Sequence, residues 1–365
     1  MDNATLGGAL PPRLSRRRFA LALPLLGAAA WGAAGRARAA DARPGPQRAS
    51  RDLLGTRVDI VADGGDGGGD GRDARALQAA IGLAFAEMER LEALLSRYRE
   101  DSVVRRIGQA AGRGAVAVPP EAMAVLANAR RVWRESAGAF DPTVGALSGW
   151  HFEPGRQALP PAAEIAAELR RVDARHLRLD ERAGTACLTE PGMALDLGGI
   201  AKLPILAAGL RVLAREGVTN ALVNGGGDVL ASGRLQGRPW RVGVRDPRAP
   251  GRLLGAIEVE GFGVVASSGD YERGFMYQGR RLHHVLDPHT GWPTTGVHGV
   301  ALLARGTQNP VQAVNGWGTA LMVQGMAAVP AWSARHPGVA VLAAGADGTL
   351  WQSPGMASAL KPLNS

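Results

Sequence analysis

The sequence predicts an α+β fold, with mixed helices and antiparallel sheets. Three observations carry that prediction. Segments with apolar residues at helical spacing are interspersed with short strand-like runs, without the regular alternation that a doubly wound parallel sheet requires. No internal repeat is present. The 365 residues are 46% apolar and 21% charged, with a mean hydropathy of -0.04, a balance that lets a globular chain bury a large core.

The first element is an address. Ser15-Arg16-Arg17-Arg18-Phe19 precedes the apolar run Ala20–Ala34 and then Ala37-Arg38-Ala39. A charged start, a short apolar stretch and a small-residue cleavage site predict a signal peptide over 1–39. The arginine pair and the weakly apolar run rich in Ala and Gly resemble the twin-arginine type, which implies a periplasmic protein. Residues 40–52, rich in Pro and Arg, are expected to form a disordered linker. The folded domain is expected over 53–350, with a tail over 351–365.

Within that domain Thr56–Ala62 reads as a strand. Gly64–Gly71 is a surface loop that resembles a calcium-binding Gly/Asp repeat, in one copy too short to bind alone. Leu77, Ile81, Phe85, Met88, Leu91 and Leu95 recur at helical spacing and predict an amphipathic helix over 73–96. Pro119-Pro120 opens a second helix, to Glu135, and a third covers 162–171. Strands follow at His176–Leu179 and Thr185–Thr189, then a helix from Ile200 to Glu216. Strand-like runs dominate afterwards: Ala221–Asn224, Val229–Ser232, Trp240–Val244, Gly255–Val259, Gly263–Ser267, His283–Leu286 and Val300–Ala304. A helix over Val311–Gln324 and a strand over Val339–Ala343 complete the domain.

The net charge of +9 suggests nucleic acid, but its location argues otherwise. Six arginines and one acid lie in the first forty residues. The remainder has 36 basic against 32 acidic side chains and no dense basic run. Non-specific nucleic-acid binding needs a clustered patch and is not expected. One cysteine, Cys187, excludes an internal disulfide framework and a Cys-rich metal site. Only two of the 42 basic residues are lysines, Lys202 and Lys361. In so arginine-biased a chain, Lys202 suggests a need for a compact ammonium.

Four segments interrupt apolar stretches with small, charged and glycine residues. They are Gly138–Gly145 (GAFDPTVG), Asp196–Lys202 (DLGGIAK), Asn224–Asp228 (NGGGD) and His284–Gly291 (HVLDPHTG), the last preceded by Ser267–Tyr271 (SSGDY). In the second, glycines let backbone amides approach a ligand at a helix N-terminus, which suits phosphate, with Lys202 as counter-charge. For Asn224–Asp228 a plain glycine-rich hairpin turn is favoured over a ligand site. His283, His284, His289 and His298 fit no standard zinc spacing.

Together and in this order, these strings closely resemble the FAD:protein FMN transferase (ApbE) family. Gly55-Thr56, Ser96-Arg97-Tyr98 with Asp101-Ser102, Gly217–Asn224 and Trp240–Pro247 add to the likeness, which spans about 53–345. The resemblance implies mixed helices and antiparallel sheets around a central FAD site, akin to a T-fold. It implies an exported enzyme that splits FAD and attaches the FMN half to a Thr or Ser hydroxyl of a protein, releasing AMP. The acceptor it implies is a flavoprotein subunit of a redox or respiratory complex. By resemblance, Tyr98, Ala139, Phe140, Asp141, Asp196, Lys202, His284 and Val285 contact FAD. His284 handles the proton and Lys202 assists the chemistry. The Gly199 carbonyl, Asn315 and Thr319 hold a divalent cation, Mg²⁺ or else Ca²⁺ or Mn²⁺.

The chain departs from its family at the metal site. Where the family has an Asp and, four residues on, a Thr, the sequence reads Val314-Asn315-Gly316-Trp317-Gly318-Thr319-Ala320-Leu321. On the helix expected over Val311–Gln324, Asn315 and Thr319 share a face, so the geometry survives while one negative charge is lost, and Mg²⁺ prefers charged oxygens. Trp317 replaces a small aliphatic residue, and Leu203-Pro204 replace Gly and an aromatic. The second reading is therefore a catalytically weakened, exported FAD-binding carrier or accessory protein.

Overall fold

Eight antiparallel strands form the central sheet, and the alternation of their side chains explains how it is covered on both faces. The computed structural model describes residues 45–65 and 73–363. The signal segment, the start of the linker and most of the Gly64–Gly71 tract lie outside them. In spatial order the strands are Gln47–Leu53, Thr56–Asp63, Asn220–Gly225, Asp228–Ser232, Gly263–Gly269, Val297–Arg305, Val339–Gly345 and Leu350–Gln352. Every neighbouring pair is antiparallel.

Successive side chains of a strand point to opposite faces. Val58, Ile60, Val223, Leu230, Val264 and Leu302 point to one face and join a core with helices Ala74–Leu95 and Lys202–Arg215. Val61, Val229, Ala231, Val265, Ala301 and Leu303 point to the other, against Trp240, Val242 and Ile257 of a second, three-stranded sheet. That sheet orders Leu360–Lys361, Ala249–Val259 and Trp240–Asp246. Central strands wet on neither side read as near-continuous apolar runs, which is why the sequence reveals them.

The predicted helices form as Ala74–Leu95, Pro120–Glu135, Ala162–Leu169 and Lys202–Arg215. Asp73 caps the first by accepting from the Ala76 N–H. A further sheet joins Val116–Ala117, Thr185–Leu188 and Leu177–Asp180, and a two-stranded ribbon joins Gly274–Tyr277 to Arg280–His283. No helix among the described residues is long and apolar enough to cross a membrane.

Four expectations are corrected. Residues 47–52 of the expected linker belong to the edge strand Gln47–Leu53, paired along its length with Thr56–Asp63. The supposed tail is ordered. Helix Pro354–Ala359 buries Met356, Ser353 Oγ accepts from the Val341 N–H, and Leu360–Lys361 pairs with Ala256–Ile257. The strand expected over His283–Leu286 ends at His283. The single helix expected over Val311–Gln324 is two, Pro310–Val314 and Trp317–Gln324. Asn315 between them is extended and Gly316 has φ +83°, a left-handed conformation that stops the helix.

Candidate active site

The four glycine-interrupted segments converge at one end of the fold, where helix Lys202–Arg215 begins. Its N-cap, Ala201, offers no side-chain acceptor. Gly198 and Gly199 just before it are exposed, so their backbone is open to a ligand. The Gly198 N–H donates to Asp196 Oδ1 at 2.7 Å, and Arg97 Nη1 lies 2.5 Å from Asp196 Oδ2. Burial pushes the Asp196 carboxyl up, but the Arg97 charge, the Gly198 N–H and Arg273 outweigh it, and the group stays below its ordinary value. The guanidinium of Arg97 also lies over the ring of Tyr98, which is 73% exposed.

Lys202 does not stand alone. Its Nζ is 3.1 Å from Asp228 Oδ2, and Asp228 is buried. Asn224–Asp228 is thus the hairpin turn the sequence favours, with positive φ at Gly226 and Gly227, and it also delivers a carboxylate to the site.

Ala139 and Phe140 are buried, with a Phe140 ring edge against Gly199. The Asp141 carboxylate is turned into the fold. Its Oδ1 accepts from the Thr143 N–H and hydroxyl, and its Oδ2 from the Ala174 N–H. Burial raises its pKa above the ordinary value despite those bonds. Asp141 therefore shapes the turn that presents Phe140.

His284 follows the ribbon strand Arg280–His283, and its Nδ1 is 3.3 Å from the Arg273 carbonyl. That acceptor places the proton on Nδ1 and leaves Nε2 with a lone pair. Burial, then the Arg273 charge, push its pKa down to about 4, and Lys202 acts in the same direction. A neutral imidazole with a free Nε2 can accept a proton at neutral pH. Val285 beside it is buried. The other clustered histidines go elsewhere: His283 to the Thr294 carbonyl, His289 to Asp287 and His298 to Asp270.

The three residues expected at the metal also come together. A Cβ on Gly199 would stand 2.9 Å from Thr319 Oγ1. Asn315 Nδ2 donates to the Ile200 carbonyl at 2.8 Å, which leaves its Oδ1 available as an acceptor. Asn315 lies in the break between two helices and Thr319 in the first turn of the second, so they do not share one helical face. The Gly199 carbonyl, the Asn315 amide and the Thr319 hydroxyl would supply hard, uncharged oxygens of the kind Mg²⁺ or Ca²⁺ takes, while the described residues contain no cluster of three or more His, Cys, Asp or Glu able to hold a metal. The departure at Trp317 is absorbed by the core, where its ring packs on Trp332 at 5.2 Å.

A family model described as the ApbE family matches residues 54–343. The chain belongs to the ApbE family. A protein named FAD:protein FMN transferase from Treponema pallidum is 34% identical over 249 residues, covering 64% of this chain and 69% of its own. The crystal structure of the ApbE protein from Thermotoga maritima superposes with a TM-score of 0.76 at 29% identity, over 87% of this chain and 99% of that one. The flavin transferase ApbE from Vibrio cholerae gives 0.71 at 26%, over 86% and 100%. The ApbE-like α+β fold expected from the sequence is the observed one. Sequence reasoning singled out Asp196, Gly199, Lys202, His284, Asn315 and Thr319, which the fold gathers. It missed Asp228 and Arg273 as members of the site and gave Arg97 no role. The signal for Asp228 was an isolated lysine in need of a counter-charge.

Proposed function

We propose that this chain is an FAD:protein FMN transferase that moves FMN from FAD to a Thr or Ser hydroxyl of an exported flavoprotein subunit of a redox complex. The observation that carries the reading is the convergence, within an ApbE fold, of Lys202, an exposed Gly198-Gly199 backbone and a neutral His284. The FAD pyrophosphate approaches the glycine backbone at the helix N-terminus, and Lys202 offsets its charge. The acceptor hydroxyl attacks the phosphorus of the FMN half, the bond to the AMP oxygen breaks, and His284 Nε2 takes the hydroxyl proton. Gly199, Asn315 and Thr319 would hold a divalent cation, for which we favour Mg²⁺. When bound it neutralises charge on the phosphate oxygens.

The export address supports a periplasmic protein carried by the twin-arginine route. Lysine at both Arg16 and Arg17 should then leave the precursor in the cytoplasm. Asn315, neutral where the family carries a carboxylate, favours the second reading of a carrier that binds FAD without splitting it. Incubation with FAD and Mg²⁺ separates the two. With an added Thr- or Ser-bearing acceptor peptide, a transferase releases AMP and leaves FMN on the peptide, and a carrier returns FAD intact.

A further inference from the structure

Lys202 is an ammonium on a flexible stem, and a free stem places its charge poorly. Here it is tethered. Asp228 Oδ2 holds Nζ at 3.1 Å, leaving two of the three ammonium donors for a ligand. Asp228 is itself fixed: its Oδ1 accepts from the Ser267 N–H at 2.9 Å, and Ser267 Oγ donates to the Gly227 carbonyl at 2.9 Å. Ser267 lies on the central strand Gly263–Gly269, which is bonded to Asp228–Ser232 and Val297–Arg305, so the carboxylate is referred to the middle of the sheet. Each carboxylate oxygen is thus engaged, Oδ2 by the ammonium and Oδ1 by a backbone N–H. A buried acid beside a site that takes a dianionic pyrophosphate raises the cost of binding, since it competes for the lysine and repels the phosphates.

We propose that Asp228 is a positioning residue for the transfer step, holding the Lys202 ammonium where charge develops on the pyrophosphate and weakening ground-state binding of FAD to do so. The proposal rests on the transferase reading. It has a signature that a merely structural role lacks, because binding and turnover should move in opposite directions.

The test measures FAD affinity by calorimetry and AMP release at saturating FAD and Mg²⁺ in the presence of a Thr- or Ser-bearing acceptor peptide. The proteins are wild type, Asp228→Asn, Asp228→Glu, Lys202→Gln and the double variant Lys202→Gln with Asp228→Asn. Asparagine keeps the acceptor for the Ser267 N–H, so the hairpin is retained. Asp228→Asn should bind FAD at least threefold more tightly and turn over at least tenfold more slowly. Asp228→Glu should recover part of the rate. In the Lys202→Gln background the Asn substitution should leave the rate unchanged and tighten FAD binding less than it does in wild type, since only the repulsion of the phosphates is then relieved. Unchanged or weaker FAD binding by Asp228→Asn, a rate within twofold of wild type, or full effects without the lysine would each overturn the proposal. If wild type supplied with an acceptor peptide releases no AMP, the transferase reading fails and this proposal falls with it; if wild type turns over and the Asp228 variants miss these expectations, only the role of Asp228 is overturned. Should Asp228→Asn not fold, Asp228→Glu against Lys202→Gln carries the comparison, and a longer carboxylate that leaves rate and affinity untouched overturns it.

Discussion

Asn315 and His284 show how much a single side chain settles. The Asn315 amide donates to a buried backbone carbonyl through Nδ2, a bond that a carboxylate at the same position cannot make. Asn315→Asp should therefore lower metal-free stability by about 1–3 kcal/mol, the cost of a buried acceptor left unpaired. The same change supplies the charge that a divalent cation seeks, so Mg²⁺ should raise the melting temperature of the Asp variant more than that of wild type. Thermal melts with and without Mg²⁺ check both halves, and a variant indifferent on both counts would remove residue 315 from the metal site. For His284, a pKa pushed down to about 4 means that the ring is already neutral across pH 6–8. AMP release should show no titration from this group near pH 6.5 and should fall only as pH drops toward 4, where the ring takes up a proton. His284→Asn should slow release by roughly 10²–10⁴-fold, the usual worth of a general base. A rate loss centred near pH 6.5 that disappears in the variant would contradict the assignment.

At the level of elements, buried strands and amphipathic helices were legible because burial writes a period into the sequence. Leu77 through Leu95 mark one helix and Val58, Ile60 and Val61 one strand. Helix Pro310–Val314 and its successor were not separated, because apolar residues continue through the break. The Asn315-Gly316 pair is a strong turn signal set inside a run that otherwise keeps its apolar pattern. The break matters chemically: it makes Asn315 the C-cap of the first helix, its N–H still donating to the Val311 carbonyl, while its side chain donates to the Ile200 carbonyl beside Gly199. A Cβ at Gly316 would meet Ile200 at 3.1 Å and Val132 at 3.3 Å, in a backbone conformation that disfavours any side chain. Gly316→Ala should cost about 1–2 kcal/mol from conformation alone and weaken Mg²⁺ binding by moving Asn315. Urea unfolding with a parallel Mg²⁺ titration measures both, and loss of stability with unchanged metal affinity would separate the break from the site. The edge strand Gln47–Leu53 was illegible for the opposite reason, since most of its side chains face water and leave no apolar pattern.

At the scale of the whole molecule, the second core closes only when Ser353–Lys361 packs on it. Met356, fully buried there, should cost about 2–5 kcal/mol when cut to Ala. Denaturant unfolding gives the number, and a loss under 1 kcal/mol would show that the segment merely rests on the surface. The catalytic end, by contrast, gathers side chains from Arg97 to Thr319, and no local stretch of sequence contains it. The pairing of Thr56–Asp63 with Asn220–Gly225 carries a further consequence, one of time. During synthesis the earlier strand leaves the ribosome long before its neighbour exists, and only the hairpin partner Gln47–Leu53 is available to it. One edge of Thr56–Asp63 must wait unpaired while helices Ala74–Leu95, Pro120–Glu135 and Lys202–Arg215 and the whole Leu177–Leu188 region are made. Distant pairing of this kind slows folding and prolongs exposure of sticky surface. A cell that makes this protein has to guard the nascent chain until residue 225 emerges.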